Sequence, residues 1–253
     1  MPSVSHRKRE VLFKIVYYGP GLGGKTTNLE YIHAHSRPDH RDKLLSLNTA
    51  HERTLFFDLL PIDLGEFKGY QVRLHLCTVP GQIAYDRTRR LILRGVDGVV
   101  FVVDSQPAQL DANVESLENL AANLRWLGIE PNRTPMVVQY NKRDLEGVLD
   151  PVDLRAAIGI PKNIPQLEAS ARYGKGVFET LKRITRECLR VVGNPAELKE
   201  GRSPSILPGH RPSMYPEALA GRKPPATENE HSVTLPRDAR VPSVPGAGGR
   251  NRG

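Results

Sequence analysis

The sequence predicts an α/β fold: a mixed, mainly parallel sheet of six to seven strands with helices on both faces. Three observations carry this. Between residues 11 and 192, short apolar runs alternate with longer stretches of helical spacing, the pattern of successive βαβ units. Three of the short runs, 11–18, Gly98–Asp104 and 135–141, are apolar almost throughout, as strands covered on both faces must be. A fourth, Tyr70–Thr78, sets Val72, Leu74 and Leu76 against Arg73, His75 and Cys77, so it has a more polar face and belongs near a sheet edge.

In chain order, strand 11–18 runs into the loop Gly19-Pro20-Gly21-Leu22-Gly23-Gly24-Lys25-Thr26, and a helix follows over 26–35. Residues 54–62 and Tyr70–Thr78 form an antiparallel hairpin turning across 65–69, because Gly65 and Gly69 punctuate two apolar runs. Helical spacing then predicts helices over 86–94, 110–127, 151–157 and 176–192. Asp111, Pro151 and Gly176 stand near three of their starts, and Gly193 with Pro195 stops the last. The strands Gly98–Asp104 and 135–141 separate these helices, and the short run 166–169 completes the sheet.

The chain divides near residue 195. Of the 59 residues from 195 to 253, ten are proline and seven glycine, and Tyr215 is the sole aromatic. Such a segment cannot offset its ordering entropy by burial. We therefore expect a basic N-terminal arm at 1–8, one domain at 9–194 and a disordered tail at 195–253. Two cysteines, Cys77 and Cys188, exclude a disulfide framework, and no Cys/His cluster has structural-zinc spacing. The start is basic, but its apolar stretch is broken by Lys14, so no signal peptide is expected. No run approaches a membrane span. Pro2 and the Asn251-Arg252-Gly253 end argue against lipid anchors. A cytoplasmic monomer is expected. Its net charge of +8 is too diffuse, and too poor in interleaved aromatics, to predict a specific nucleic-acid partner.

The loop at 19–26 is GxxxxGK[ST] in full, set between a strand and a helix. Glycines at 19, 21, 23 and 24 let backbone N–H groups curl around phosphate oxygens, Lys25 reaches the β- and γ-phosphates, and the Thr26 hydroxyl ligates Mg²⁺. Leu22 and Thr27 complete the expected nucleotide contacts. The fold is thus that of a P-loop NTPase. Asn141-Lys142-Arg143-Asp144, after strand 135–141, is an NKxD pattern. A carboxylate at Asp144 accepts from both N1–H and the exocyclic amino group of guanine, a pairing that adenine cannot supply. Asn141 ties the loop together and the Lys142 stem covers the base. Ser170-Ala171-Arg172 fits a third base-contacting loop, with the Ala171 N–H aimed at guanine O6.

Four phrases carry a family resemblance: KIVYYGPGLGGKTTNLEYI (14–32), RTLFFDLLPIDLGE (53–66), TVPGQIAYDRTRRLILRGVDGVVFVVDSQ (78–106) and VVQYNKRDL (137–145). The chain is similar to the Ras-like small GTPases and, within them, resembles the bacterial MglA gliding-motility and cell-polarity group, itself Arf-like. The resemblance implies a switch that binds GTP and GDP with Mg²⁺ and hydrolyses GTP slowly. It also implies a Roadblock-type, MglB-like activating partner, polarity or motility effectors, and recruitment to a cell pole.

Small GTPases usually carry DxxG at the second switch, with an aspartate that holds Mg²⁺ through a water. Here Thr78-Val79-Pro80-Gly81-Gln82 puts a hydroxyl there, as the MglA group does, while keeping the γ-phosphate-sensing Gly81 and the water-orienting Gln82. The resemblance further implies that Thr54 joins Thr26 on Mg²⁺ and that Arg53 acts as an arginine finger in cis. An alternative is a nucleotide-loaded scaffold with little hydrolysis because Thr78 replaces the aspartate. Bland readings suit the rest. His33, His35 and His40 belong to a helix end and loop, Arg87, Arg89, Arg90 and Arg94 to a solvated or partner-docking face, and Trp126 to core or helix-end packing.

Overall fold

The computed structural model describes residues 2–47, 57–81, 85–193 and 195. Expectations for Arg53, Thr54, Gln82 and nearly all of the tail lie outside the described residues. The elements are β1 (Ser3–Ser5), β2 (Glu10–Tyr18), α1 (Lys25–His35), β3 (Leu45–Leu47), β4 (Phe57–Phe67), β5 (Tyr70–Thr78) and α2 (Asp86–Leu93). They continue with β6 (Gly98–Asp104), α3 (Leu110–Trp126), β7 (Met136–Asn141), α4 (Pro151–Ile158), β8 (Gln166–Glu168) and α5 (Val177–Val192).

Among the described residues, eight strands share one sheet in the order β3-β4-β5-β2-β6-β7-β8, with β1 paired to β2 off that path. Strands β5, β2, β6, β7 and β8 run parallel, while β4 is antiparallel to β5 and β3 to β4. The sheet is mixed and mainly parallel as expected, but it exceeds the expected six to seven strands. The excess is two three-residue strands, β1 and β3, too short to show periodicity. β1 folds back from the basic arm, pairing Val4 with Val11 and burying Val4.

The hairpin turn also differs. The β4–β5 ladder continues past Gly65 to the pair Phe67–Tyr70, with an irregularity between Asp63 and Gly65. The Asp63 carboxylate accepts from the Gly65 N–H at 2.8 Å, which marks a bulge and not the turn. The turn is Lys68-Gly69, both at positive φ (49° and 78°), as a primed two-residue hairpin requires.

Alternation along the central strands builds two cores. Phe13, Ile15 and Tyr17 of β2 and Val100 and Val102 of β6 face Leu29 and Ile32 of α1 and Leu181, Ile184 and Cys188 of α5. Val16, Tyr18, Val99, Phe101 and Val103 face Ile92 of α2, Leu120 and Leu124 of α3 and Leu154 of α4. Helices therefore cover both faces. A buried amide network fastens α1 to β7 and α5. Asn28 Nδ2 donates to Gln139 Oε1 (2.9 Å), and Gln139 Nε2 donates to Asn28 Oδ1 and Thr180 Oγ1 (both 3.0 Å). This anchors the helix that the glycine-rich loop opens. The loop itself leaves the carboxyl end of β2, from which the strand order runs outward in both directions, the place where open α/β sheets bind ligands. Among the described residues no helix is long and apolar enough to cross a membrane.

Candidate functional site

The loop after β2 forms one wall of a cleft of about 510 Å³, with Lys25, Thr26 and Thr27 on one side and Asp58, Thr78 and Gly81 on another. Gly24 enters α1 at φ 95°, and a Cβ there would lie 2.2 Å from Asn141 Nδ2, so both conformation and space demand glycine. Gly81 lies against the loop, where a Cβ would fall 2.2 Å from the Gly21 Cα. Leu22 is almost wholly exposed at φ 58°. Lys25 is buried, with Nζ donating to the carbonyls of Gly19 (3.0 Å) and Pro20 (2.5 Å). Burial, reinforced by the Arg89 charge and offset in part by Asp58, pushes its pKa down to about 8.

The cleft floor holds a cluster of oxygens centred on Asp58. Thr26 Oγ1 donates to Asp58 Oδ2 at 2.7 Å and Thr78 Oγ1 to the same oxygen at 2.9 Å. Ser46 Oγ donates to Oδ1 at 2.7 Å, and the Asp58 N–H donates to Thr78 Oγ1 at 2.9 Å. Asp58 is only 7% exposed. Hard oxygens on a P-loop threonine, a second hydroxyl and a carboxylate are the donor chemistry that Mg²⁺ prefers, so the residues present fit that ion. Motif reading missed Asp58 and Ser46. The available signal was a lone carboxylate in the apolar run LFFDLLPI (55–62), since a charge in a buried strand needs a reason.

On the far side of Gly24, Asn141 at the end of β7 joins two loops. Its Nδ2 donates to the Gly23 carbonyl (2.8 Å), and its Oδ1 accepts the Ala171 N–H (2.9 Å). The Ala171 N–H, expected to aim at guanine O6, is thus engaged by the asparagine in this structure. Ser170 Oγ donates to Asp144 Oδ1 at 2.6 Å, and Lys142 Nζ meets the buried Asp104 carboxylate at 2.6 Å. Lys142 itself sits at φ 66°, which turns the chain sharply after the strand. The structure therefore brings NKxD, the Ser170-Ala171 loop and the glycine-rich loop together.

The chain is 51% identical over 201 residues to the mutual gliding-motility protein MglA of Myxococcus xanthus (strain DK1622). That match spans 79% of this chain and 100% of the relative. This chain belongs to the MglA family. No family model matches it. Membership in the MglA family brings the small-GTPase fold, seen here in sheet order and loop placement, and with it guanine-nucleotide binding.

One part of this MglA-family site was misjudged from the sequence. Arg89, assigned to a solvated or docking face of α2, is 2% exposed. Its guanidinium donates to the carbonyls of Pro80 (2.9 Å) and Gly81 (2.7 Å) and to Asn119 Oδ1 (2.7 Å), and it lies over the Tyr18 ring. It thus clamps the segment that ends the cleft against α3. The i, i+3 spacing of Arg89 to Ile92 was the overlooked signal, because both belong to the inward face of α2. Arg87 is exposed. Arg90 is half-buried, pairing with Asp86, donating to Asn123 (2.8 Å) and covering the Trp126 ring at 4.8 Å. Trp126 is at a helix end but 60% exposed, so it is not core.

Proposed function

We propose that this chain is a Mg²⁺-dependent guanine-nucleotide switch that binds GTP and GDP and hydrolyses GTP slowly. The observation that carries the reading is Asn141, whose two amide atoms hold the phosphate-binding loop and the base-binding loop as one unit. Backbone N–H groups of 21–26, with Leu22, Lys25 and Thr27, cradle the phosphates, and the α1 N-terminus adds its dipole. Asp144, steadied by Ser170, pairs with the guanine edge, and the Lys142 stem covers the base. Thr26 and Thr54 would hold Mg²⁺, which when bound neutralises charge on the β- and γ-oxygens. Gln82 orients the attacking water, and Arg53 sets its guanidinium against the transferring phosphoryl oxygens. Gly81, beside Gly21, reports the γ-phosphate to α2 through Arg89.

A Roadblock-type, MglB-like partner would complete the arrangement of Arg53 and Gln82, and the GTP form would engage polarity or motility effectors. The gliding-motility name of the Myxococcus relative supports that output. The protein would act as a cytoplasmic monomer, recruited to a pole, with 9–194 as the working domain and 195–253 as a separable appendage. The test is single-turnover GTP hydrolysis with and without a Roadblock partner, in wild type, Arg53→Ala and Gln82→Leu. Partner-accelerated turnover that either substitution removes is the expected result. GTP left intact under every condition would replace the hydrolytic switch with a nucleotide-loaded scaffold.

A further inference from the structure

We propose that Asp58 supplies, from the neighbouring strand, the carboxylate that other small GTPases carry at the Thr78 position, and that it orients Thr26 and the water shell of Mg²⁺. The inference rests on the reading of the site as a Mg²⁺-nucleotide switch. Its starting point is a missing charge. Thr78 ends β5 as a neutral hydroxyl, yet this hydroxyl donates to Asp58 Oδ2 at 2.9 Å, so a carboxylate lies one hydrogen bond from where the aspartate would stand. The antiparallel pairing accounts for the placement: Leu59 pairs with Cys77, and the next step along both strands sets Asp58 beside Thr78.

The partners of Asp58 say what it is for. Among the described residues its oxygens accept three bonds from hydroxyls, Thr26, Thr78 and Ser46, and lie within ion-pair distance of no side-chain cation. This carboxylate is 7% exposed, lines the cleft and, among the described residues, has its side-chain oxygens engaged by hydroxyls. The same Oδ2 takes the Thr26 proton at 2.7 Å. A threonine that offers an oxygen lone pair to a metal still has its O–H to place. An acceptor fixed on that proton orients the ligand and makes its oxygen a better donor, as outer carboxylates do at other metal sites. Asp58 therefore does two tasks with one oxygen: it aims Thr26, and through Thr78 it fixes the start of the second switch. Ser46 on Oδ1 extends the same control to β3.

The experiment uses the full chain loaded with a fluorescent GDP analogue, whose release is followed across a series of free Mg²⁺ concentrations. In wild type Mg²⁺ is expected to slow release. Asp58→Asn is expected to shift the Mg²⁺ midpoint upward by about 10–100-fold, the usual loss when an outer carboxylate is removed. Thr78→Asp alone sets two carboxylates one hydrogen bond apart and lowers the melting temperature. The double variant Asp58→Asn/Thr78→Asp moves the charge to the second switch, recovering both the melting temperature and most of the Mg²⁺ midpoint. The double variant also decides the matter if Asp58→Asn alone does not fold. A midpoint unchanged in Asp58→Asn, or not recovered in a folded double variant, overturns the role of Asp58. A wild type that binds no guanine nucleotide overturns the switch reading itself, a separate result.

Discussion

Removing the Arg89 side chain tests whether α2 holds the end of the cleft by a buried cation. In Arg89→Ala, the carbonyls of Pro80 and Gly81 and the Asn119 amide oxygen lose charged donors at 2.7–2.9 Å. Hydrogen bonds to a charged group contribute about 1.5–3 kcal/mol each, but three bonds to one guanidinium do not add. Each neutral oxygen left without its donor costs about 1–3 kcal/mol, and with the three losses only partly additive we expect about 3–5 kcal/mol here. It is a large share of a domain stability of about 5–15 kcal/mol. Arg89→Lys keeps the charge but has no planar fork to reach three acceptors, so it recovers less than half. The assay is urea unfolding at constant m-value, with Arg87→Ala as the exposed control, expected within about 0.5 kcal/mol of wild type. Guanine-nucleotide release should also quicken, because the Pro80-Gly81 backbone beside Gly21 loses its anchor. A loss below about 1 kcal/mol, indistinguishable from the Arg87 control, would refute the clamp.

His75, 7% exposed on β5, is held far below the ordinary imidazole range, at about 4, by burial and by the Lys14 and Arg73 charges, with Asp42 opposing. Its folded-state pKa lies below its unfolded one, so the neutral form's contribution is complete above about pH 6.5 and is lost as pH falls towards 4. That amounts to about 3 kcal/mol, and His75→Gln should flatten this part of the stability–pH curve in melts from pH 7 to 4. Gly24→Ala combines a positive φ with a clash at Asn141, and is expected to weaken guanine-nucleotide affinity by at least about tenfold, read by equilibrium titration. Gln139→Leu leaves Asn28 and Thr180 short of partners inside the core, and should cost about 2–3 kcal/mol in urea unfolding.

What could be read from the sequence follows the range of each interaction. Gly98–Asp104 and Tyr70–Thr78 match the structure residue for residue, because one is apolar throughout and the other alternates, and both signals are local. The glycine-rich loop and NKxD are legible since phosphate and guanine fix both residue types and spacing. Their joining through Asn141 spans 118 residues to Gly23, although a tying role was assigned to it. Asp58 escaped notice because its meaning comes from Thr26, 32 residues away, and Thr78, 20 residues away, on other elements. Arg89 was misjudged since charge outweighed helical position, whereas two of its three acceptors are backbone carbonyls that no composition reveals. The hairpin turn shifted because two glycines competed, and only Asp63 bonding to the Gly65 N–H shows which one makes the bulge.

The Asn141 carboxamide has one donor end committed to the glycine-rich loop and its acceptor end committed to Ala171. Rotating the amide would break both bonds at once, so the β7–β8 side works as a rigid vice on whatever it grips. In the proposed switch, that half would hold guanosine identically whether two or three phosphates follow. The count of phosphates would then be read across the sheet, where Asp58 bonds to Thr26 and Thr78 and where Gly81, held by Arg89, lies against Gly21. Recognition of the base and reading of the nucleotide's state would be separately mutable, so either could drift in evolution while the other is conserved.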